Sequence, residues 1–198
     1  MSTENSKFKV VIFGCQQIAV DFINFLHKIE NVEIPLIVTY ELPLDKTYGY
    51  ESVMEEGKKM GLNVKNPNRV TDKIIAEVES IKPDIIFSVY YRKIFPNRLL
   101  SIPRLGSINI HPSLLPEYRG PVPTAWTIQN GEKFFGLTIH KMDQGIDTGE
   151  IYVQQKFAID EDETGYELYT RGMTLGAKML AENFSKLINN EIVPTKQE

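Results

Sequence analysis

The chain has one cysteine, one tryptophan and three histidines in 198 residues. A lone Cys15 has no internal partner, which excludes a disulfide framework and leads us to expect a reducing compartment, the cytoplasm. No Cys or His cluster has zinc-like spacing, so no metal is expected. Long apolar runs are missing too. The longest stretches without a charged residue, 105–116 and 120–131, are too short to cross a bilayer and carry Pro and Gly, so no membrane role is expected. The polar start, 1–9, has no signal-peptide pattern. Neither sign of charge dominates. With 22 Lys+Arg against 26 Asp+Glu, the net charge of −4 argues against gripping nucleic acid over a broad surface. Repeats, low-complexity tracts and linker-like composition breaks are absent. One domain over 1–198 is the expectation.

What is present alternates. Phe8–Gly14 is a β-branched and aromatic run, and Ile18, Phe22, Phe25 and Ile29 follow at helical spacing. Strands are predicted at 34–39 and 84–89, with a helix between them at 71–81 whose apolar face is Ile74, Ile75, Val78 and Ile81. Alternating strands and helices predict a Rossmann-like α/β fold, a mostly parallel sheet flanked by helices. Residues 40–50 carry three Tyr without period and read as a surface loop. Short strands are predicted at 107–110, 135–140 and 151–157. Thr164 and Glu167 form a capping-box pattern for a long last helix with Leu168, Leu175, Met179, Phe184 and Leu187 as its stripe. That stripe fits either the core or a homodimer face.

Two polar clusters interrupt apolar segments. Asn109 and His111 lie two apart after a β-rich run, so an amide and an imidazole face one spot at the sheet's end. The alternative for His111 is a ring satisfied by nearby backbone. The second cluster is Asp143-Gln144-Gly145-Ile146-Asp147-Thr148-Gly149. It reads as a hairpin-like loop, with too few carboxylates for a calcium site. Other templates fail. The turn Gly14-Cys15-Gln16-Gln17 lacks the dinucleotide fingerprint, and no phosphate loop or nucleophile elbow is present. Cys15, next to a buried strand, fits a packed thiol better than a nucleophile.

Together the clusters resemble a family. Asn109-Ile-His111-Pro-Ser113-Leu-Leu-Pro116-Glu-Tyr-Arg-Gly120 looks like the signature of the folate-dependent formyltransferases, and Asp147-Thr148-Gly149 matches their third catalytic element. The resemblance implies a glycinamide-ribonucleotide-transformylase-like α/β domain, with 10-formyltetrahydrofolate as formyl donor and an amine as acceptor. By resemblance, Asn109, His111 and Asp147 are catalytic. Ser113, Leu114, Leu115, Pro116 and Pro121, with Asp143, Gln144, Gly145 and Ile146, line the folate pocket. Neither a metal nor a covalent nucleophile is required.

The acceptor depends on the branch. Glycinamide ribonucleotide transformylases have a Gly/Ser-rich turn that this chain lacks. Methionyl-tRNA formyltransferases share both motifs and add a C-terminal barrel; its absence before Glu198 and the acidic balance point away from tRNA. The run Asp84-Ile-Ile-Phe-Ser-Val-Tyr-Tyr-Arg92-Lys resembles UDP-aminoarabinose formyltransferases, as do Asn130-Gly131-Glu132 and Gly136-Leu-Thr-Ile-His140, although those enzymes lack Asp-x-Gly-x-Asp-Thr-Gly. A nucleotide-linked amino sugar, in a lipopolysaccharide-type pathway, is therefore the expected acceptor. Tyr90, Tyr91 and Arg92 are its candidate contacts: rings for a base or pterin, a guanidinium for a diphosphate. Trp126 fits a core anchor or a substrate contact. Lys93 and Arg98 fit either an attraction for a folate glutamate tail or plain solvated surface. A catalytically silent folate- or nucleotide-binding module is the reading from another class.

Overall fold

A computed structural model describes residues 7–41, 45–67 and 69–198. The elements run β1 (Phe8–Gly14), α1 (Gln16–His27), β2 (Val32–Val38), α2 (Val53–Lys59), β3 (Val64–Lys65), α3 (Asp72–Ile81), β4 (Ile85–Val89), α4 (Asn97–Leu100), β5 (Ser107–His111), α5 (Pro123–Gln129), β6 (Phe134–Lys141), β7 (Ile151–Ala158) and α6 (Gly165–Ile188). The sheet order is β3-β2-β1-β4-β5-β6-β7. The first five are parallel, and β6 and β7 join antiparallel. This is the mostly parallel sheet the alternation predicts.

Strand geometry explains why both faces are covered. Successive side chains on β1 point to opposite sides. Val10 and Ile12 enter one apolar cluster with Phe22, Leu26, Phe87, Leu180 and Phe184, which α1 and α6 cover. Val11 and Phe13 enter the other with Leu36, Ile74, Ile75, Val78 and Leu99, which α3 and α4 cover. Helix α6 lies close because Gly172 and Gly176 leave room: a Cβ there would sit 2.9 Å from the Phe135 ring and 2.8 Å from an Ile18 methyl. Of its apolar stripe, Leu168, Met179, Phe184 and Leu187 are buried in this core and Leu175, half-buried, packs against it. The stripe therefore offers no dimer face. Thr164 and Glu167 form the expected capping box.

Helices α2, α4 and α5 and strand β3 have no counterpart among the expected elements. Ser52 caps α2, accepting from the Glu55 amide at 3.2 Å, but only Val53 and Gly57 are buried, too few to show a period. In α5 the buried positions are Pro123, Thr124 and Thr127, again without an apolar stripe. Of the loop expected at 40–50, positions 42–44 lie outside the described residues; 45–49 form a turn.

Candidate active site

The carboxyl ends of β1, β4 and β5 bring Gly14, Val89 and His111 to one end of the sheet. Strand order reverses there: the chain moves outward from β1 to β2 and β3, then returns to β4 on the other side. Open α/β sheets hold ligands at such reversals. A cleft of 1210 Å³ opens at this place. Asn109, His111 and Asp147 all line it, as do Pro121, Asp143, Gln144, Gly145 and Ile146, and Tyr90, Tyr91, Arg92 and Lys93.

Four expected lining residues are elsewhere. Ser113, Leu114, Leu115 and Pro116 are not part of the cleft wall. The chain turns inward after His111 and docks on β6. Thr138 Oγ1 donates to the Ser113 carbonyl at 2.6 Å and accepts from the Leu115 amide at 3.2 Å. Leu115 is buried, and the Ser113 hydroxyl donates to the Glu117 carbonyl at 2.6 Å. This segment shapes the loop rather than touching the cavity. Trp126 is half exposed and outside the wall, neither core nor contact. Arg98 is also outside, paired with Glu79 at 2.7 Å.

The centre is built from two strands and a loop. Asn109 on β5 stands directly opposite His140 on β6. Such cross-strand pairs touch, and Asn109 Nδ2 is 3.0 Å from His140 Nε2. His140 Nδ1 lies 2.9 Å from the Lys141 carbonyl, which can only accept, so this nitrogen carries the proton and Nε2 accepts from Asn109. The second Asn109 amide hydrogen points at Asp147 Oδ1, 3.5 Å away. His111 Nε2 lies 2.8 Å from the Tyr118 carbonyl, so it too is protonated. His111 Nδ1 faces Asp147 Oδ2 at 3.5 Å.

Asp147 adopts a left-handed backbone, φ +54°. The Gly120 amide donates to its Oδ2 at 2.9 Å. Asp143 fastens the same loop from within, accepting from the Gly145 amide at 3.0 Å and the Thr148 hydroxyl at 2.7 Å. Burial pushes the Asp147 carboxyl up, but His140, His111 and the Gly120 amide outweigh it and hold it below its ordinary 3.8. For His111 burial wins. It pulls the imidazole below its ordinary 6.5 against the opposing effects of Asp147 and the Tyr118 carbonyl. At neutral pH the centre thus holds an ionised carboxylate beside a neutral imidazole.

The tyrosines are less available than expected. Tyr90 and Tyr91 are buried; Tyr90 packs on Tyr169, and Tyr91 packs between Phe13, Tyr40 and Phe95. Their hydroxyls have no protein partner, nor has that of Thr124 on the same wall. Arg92 donates to the Tyr169 hydroxyl at 3.1 Å. Sequence reasoning missed the rest of this end: Gln16, Asp45, Tyr48, Tyr50, Tyr166 and Tyr169, with Tyr48 and Tyr166 stacked 5.1 Å apart. The one signal was the aperiodic cluster of Tyr in 40–50. His140 was missed as a member of the centre because it reads as a strand residue.

Residues 9–184 match the family model described as formyl transferase. The chain belongs to this family. A methionyl-tRNA formyltransferase of Caldanaerobacter subterraneus is 34% identical, over 96% of this chain and 63% of the relative. An N-formyltransferase from Helicobacter canadensis, solved in complex with folinic acid and dTDP-3-aminofucose, matches with TM-score 0.78 at 25% identity, over 96% of this chain and 68% of that one. A phosphoribosylglycinamide formyltransferase from Bacillus halodurans shares the fold, with TM-score 0.78 at 23% identity over 91% of this chain and 95% of that one. This family member spans 62–63% of the length of the first three methionyl-tRNA formyltransferases it matches. Among the described residues, no helix is long and apolar enough to cross a membrane, and no group of three or more His, Cys, Asp or Glu could hold a metal.

Proposed function

We propose that the chain is one catalytic domain that transfers a formyl group from 10-formyltetrahydrofolate to the primary amine of a nucleotide-linked amino sugar. The observation that carries this reading is the meeting of Asn109, His111 and Asp147 on one wall of a 1210 Å³ cleft. Single-ligand pockets usually occupy about 300–1,000 Å³, so this one has room for two reactants side by side. The Helicobacter canadensis relative was solved with a folate and an aminosugar nucleotide, the same two classes.

The chemistry follows from the protonation states. A neutral amine attacks the formyl carbon, its nitrogen gains positive charge and the formyl oxygen gains negative charge. His111 Nδ1 is the unprotonated nitrogen and takes the amine proton. Its facing carboxylate, Asp147 Oδ2, becomes attractive once that proton arrives, so Asp147 stabilises the imidazolium. Asn109 supplies a donor to the oxyanion by exchanging its longer contact, the 3.5 Å approach to Asp147, for the substrate oxygen. Collapse to the amide then breaks the bond between the formyl carbon and the folate nitrogen, and the proton held by His111 passes to that nitrogen as tetrahydrofolate leaves. Holding both reactants against this wall supplies much of the remaining acceleration.

Methionyl-tRNA is the second acceptor reading, favoured by the 34% identity to the Caldanaerobacter enzyme. Incubation with 10-formyltetrahydrofolate and either a panel of UDP- and dTDP-linked amino sugars or charged initiator tRNA separates the two. The expected result is tetrahydrofolate release with a formylated sugar. Turnover of the tRNA alone overturns the sugar reading, and no turnover with any amine favours a silent binding module.

A further inference from the structure

Past α6 the chain doubles back along β7, where Ile151 and Thr195 exchange two backbone hydrogen bonds of 2.7 and 2.9 Å. This pairing delivers Gln197 to the loop that carries Asp147. The Gln197 amide nitrogen donates to the carbonyls of Asp147, at 2.9 Å, and Gly149, at 2.7 Å. Its amide oxygen accepts from Arg119 Nε at 3.0 Å and Nη2 at 2.6 Å. A primary amide offers two donor hydrogens and two acceptor lone pairs. All four are used here, which fixes both the position and the direction of the side chain.

Arg119 stands between two residues that touch the centre. The Tyr118 carbonyl accepts from His111 Nε2, and the Gly120 amide donates to Asp147 Oδ2. The contacts therefore close a ring: His111 to the 118–120 loop, Arg119 to Gln197, Gln197 to the Asp147 backbone, and the Asp147 carboxylate back to His111. The ring closes on a residue in the left-handed region, where a non-glycine backbone persists only with support from its surroundings.

Building on the formyl-transfer reading, we propose that Gln197, oriented by Arg119, is a positioning residue: it clamps the Asp147 backbone and so sets the carboxylate against His111. Its effect on chemistry passes through Asp147 and requires no contact with substrate.

The test uses the full chain with Gln197→Ala and Gln197→Glu. Glutamate can still accept from Arg119 but has no hydrogen to give the two carbonyls, so both variants release the clamp. The groups facing His111 are the Asp147 carboxylate, the His140 ring and the Tyr118 carbonyl. Of these the carboxylate favours the imidazolium. Loosening it moves the His111 titration, followed by NMR of its ring, downward by roughly half a pH unit. The same loosening lowers kcat by roughly 10-fold, the scale of a sub-ångström misplacement, with the folate KM nearly unchanged. A tail that merely buttresses the fold would shift the unfolding temperature and leave the His111 midpoint alone. A midpoint or a kcat that stays at wild type in both variants overturns the proposal. Should either variant fail to fold, Arg119→Met releases the same side chain and is judged by the same two measurements. Wild-type protein that transfers no formyl group refutes the functional reading instead, and the His111 midpoint alone then decides the clamp.

Discussion

Replacing Gly149 by alanine should inactivate the protein while leaving it folded. Gly149 closes the Asp-Thr-Gly motif against β6. A methyl group built on it overlaps the Lys141 carbonyl oxygen and lies 2.8 Å from the carbonyl carbon. A carbon and an oxygen rest at about 3.3–3.6 Å, so clearing the overlapped oxygen needs the two backbone segments to part by well over ~1 Å. The Lys141 amide donates to the Glu150 carbonyl at 2.8 Å, and that separation breaks it. Losing the bond costs about 0.5–1.5 kcal/mol, and overpacking a backbone contact adds about 1–3 kcal/mol. The sum, roughly 1.5–4.5 kcal/mol, is below the usual total of about 5–15 kcal/mol, so the variant folds. Function suffers more, because the displaced carbonyl is the one that fixes the His140 tautomer and the displaced loop carries Asp147. Urea unfolding should show the loss as a lower midpoint at unchanged slope, and formyl transfer should fall by about 100-fold or more. Stability within about 0.5 kcal/mol of wild type, together with a normal rate, would refute the packing argument.

Three further outcomes follow from the same geometry. Asp147→Asn removes the charge that stabilises a protonated His111 and puts an NH₂ group beside the Asn109 amide; transfer should drop by about 10²–10⁴-fold, the usual worth of a general acid–base group, while circular dichroism stays native, and a rate near wild type would exclude the role. Acid should destabilise the fold in two steps. His111 titrates below 6.5 when folded, so the unfolded chain binds its proton first and stability falls as pH drops through 6.5; Asp147 titrates below 3.8 when folded, and its contribution, complete above 3.8, is lost as pH falls through that lower value. Urea titrations at pH 7.5, 6 and 5 check the first step, which should be missing in a folded His111→Gln variant. Burial pushes the Cys15 thiol up to about 11, so iodoacetamide at pH 8 should label it only at the rate of unfolding; fast labelling of native protein would contradict that burial.

The parts legible in the sequence are those where one residue pattern carries its own structural cause. Phe8–Gly14, the helix bearing Ile18 and Phe22, and the Thr164 cap emerge as expected because period and capping are local. The pairing of Asn109 with His111 was legible for the same reason, since two positions on one strand share a face. The docking of Ser113 to Pro116 on β6 is not legible because a motif does not say which side of a loop turns inward; Thr138, 23 residues from Leu115, decides that. Tyr48 meets Tyr166 only after the sheet closes, 118 residues apart, and no window of sequence contains both. Gln197 reaches Asp147 across 50 residues in the same way.

The sheet ends on one side in β3, two residues long, and on the other in β7, eight residues long. Unpaired strand edges recruit other chains and seed aggregates. β3 is too short to do so. β7 carries Gln154, Gln155 and Lys156 in its middle, and the ammonium of Lys156 sits 4.0 Å over the Phe134 ring. Thr195 occupies the edge at Ile151. The segment that reaches the centre through Gln197 therefore also occupies one end of that edge, and loosening it should expose the backbone of Ile151 to pairing with another chain.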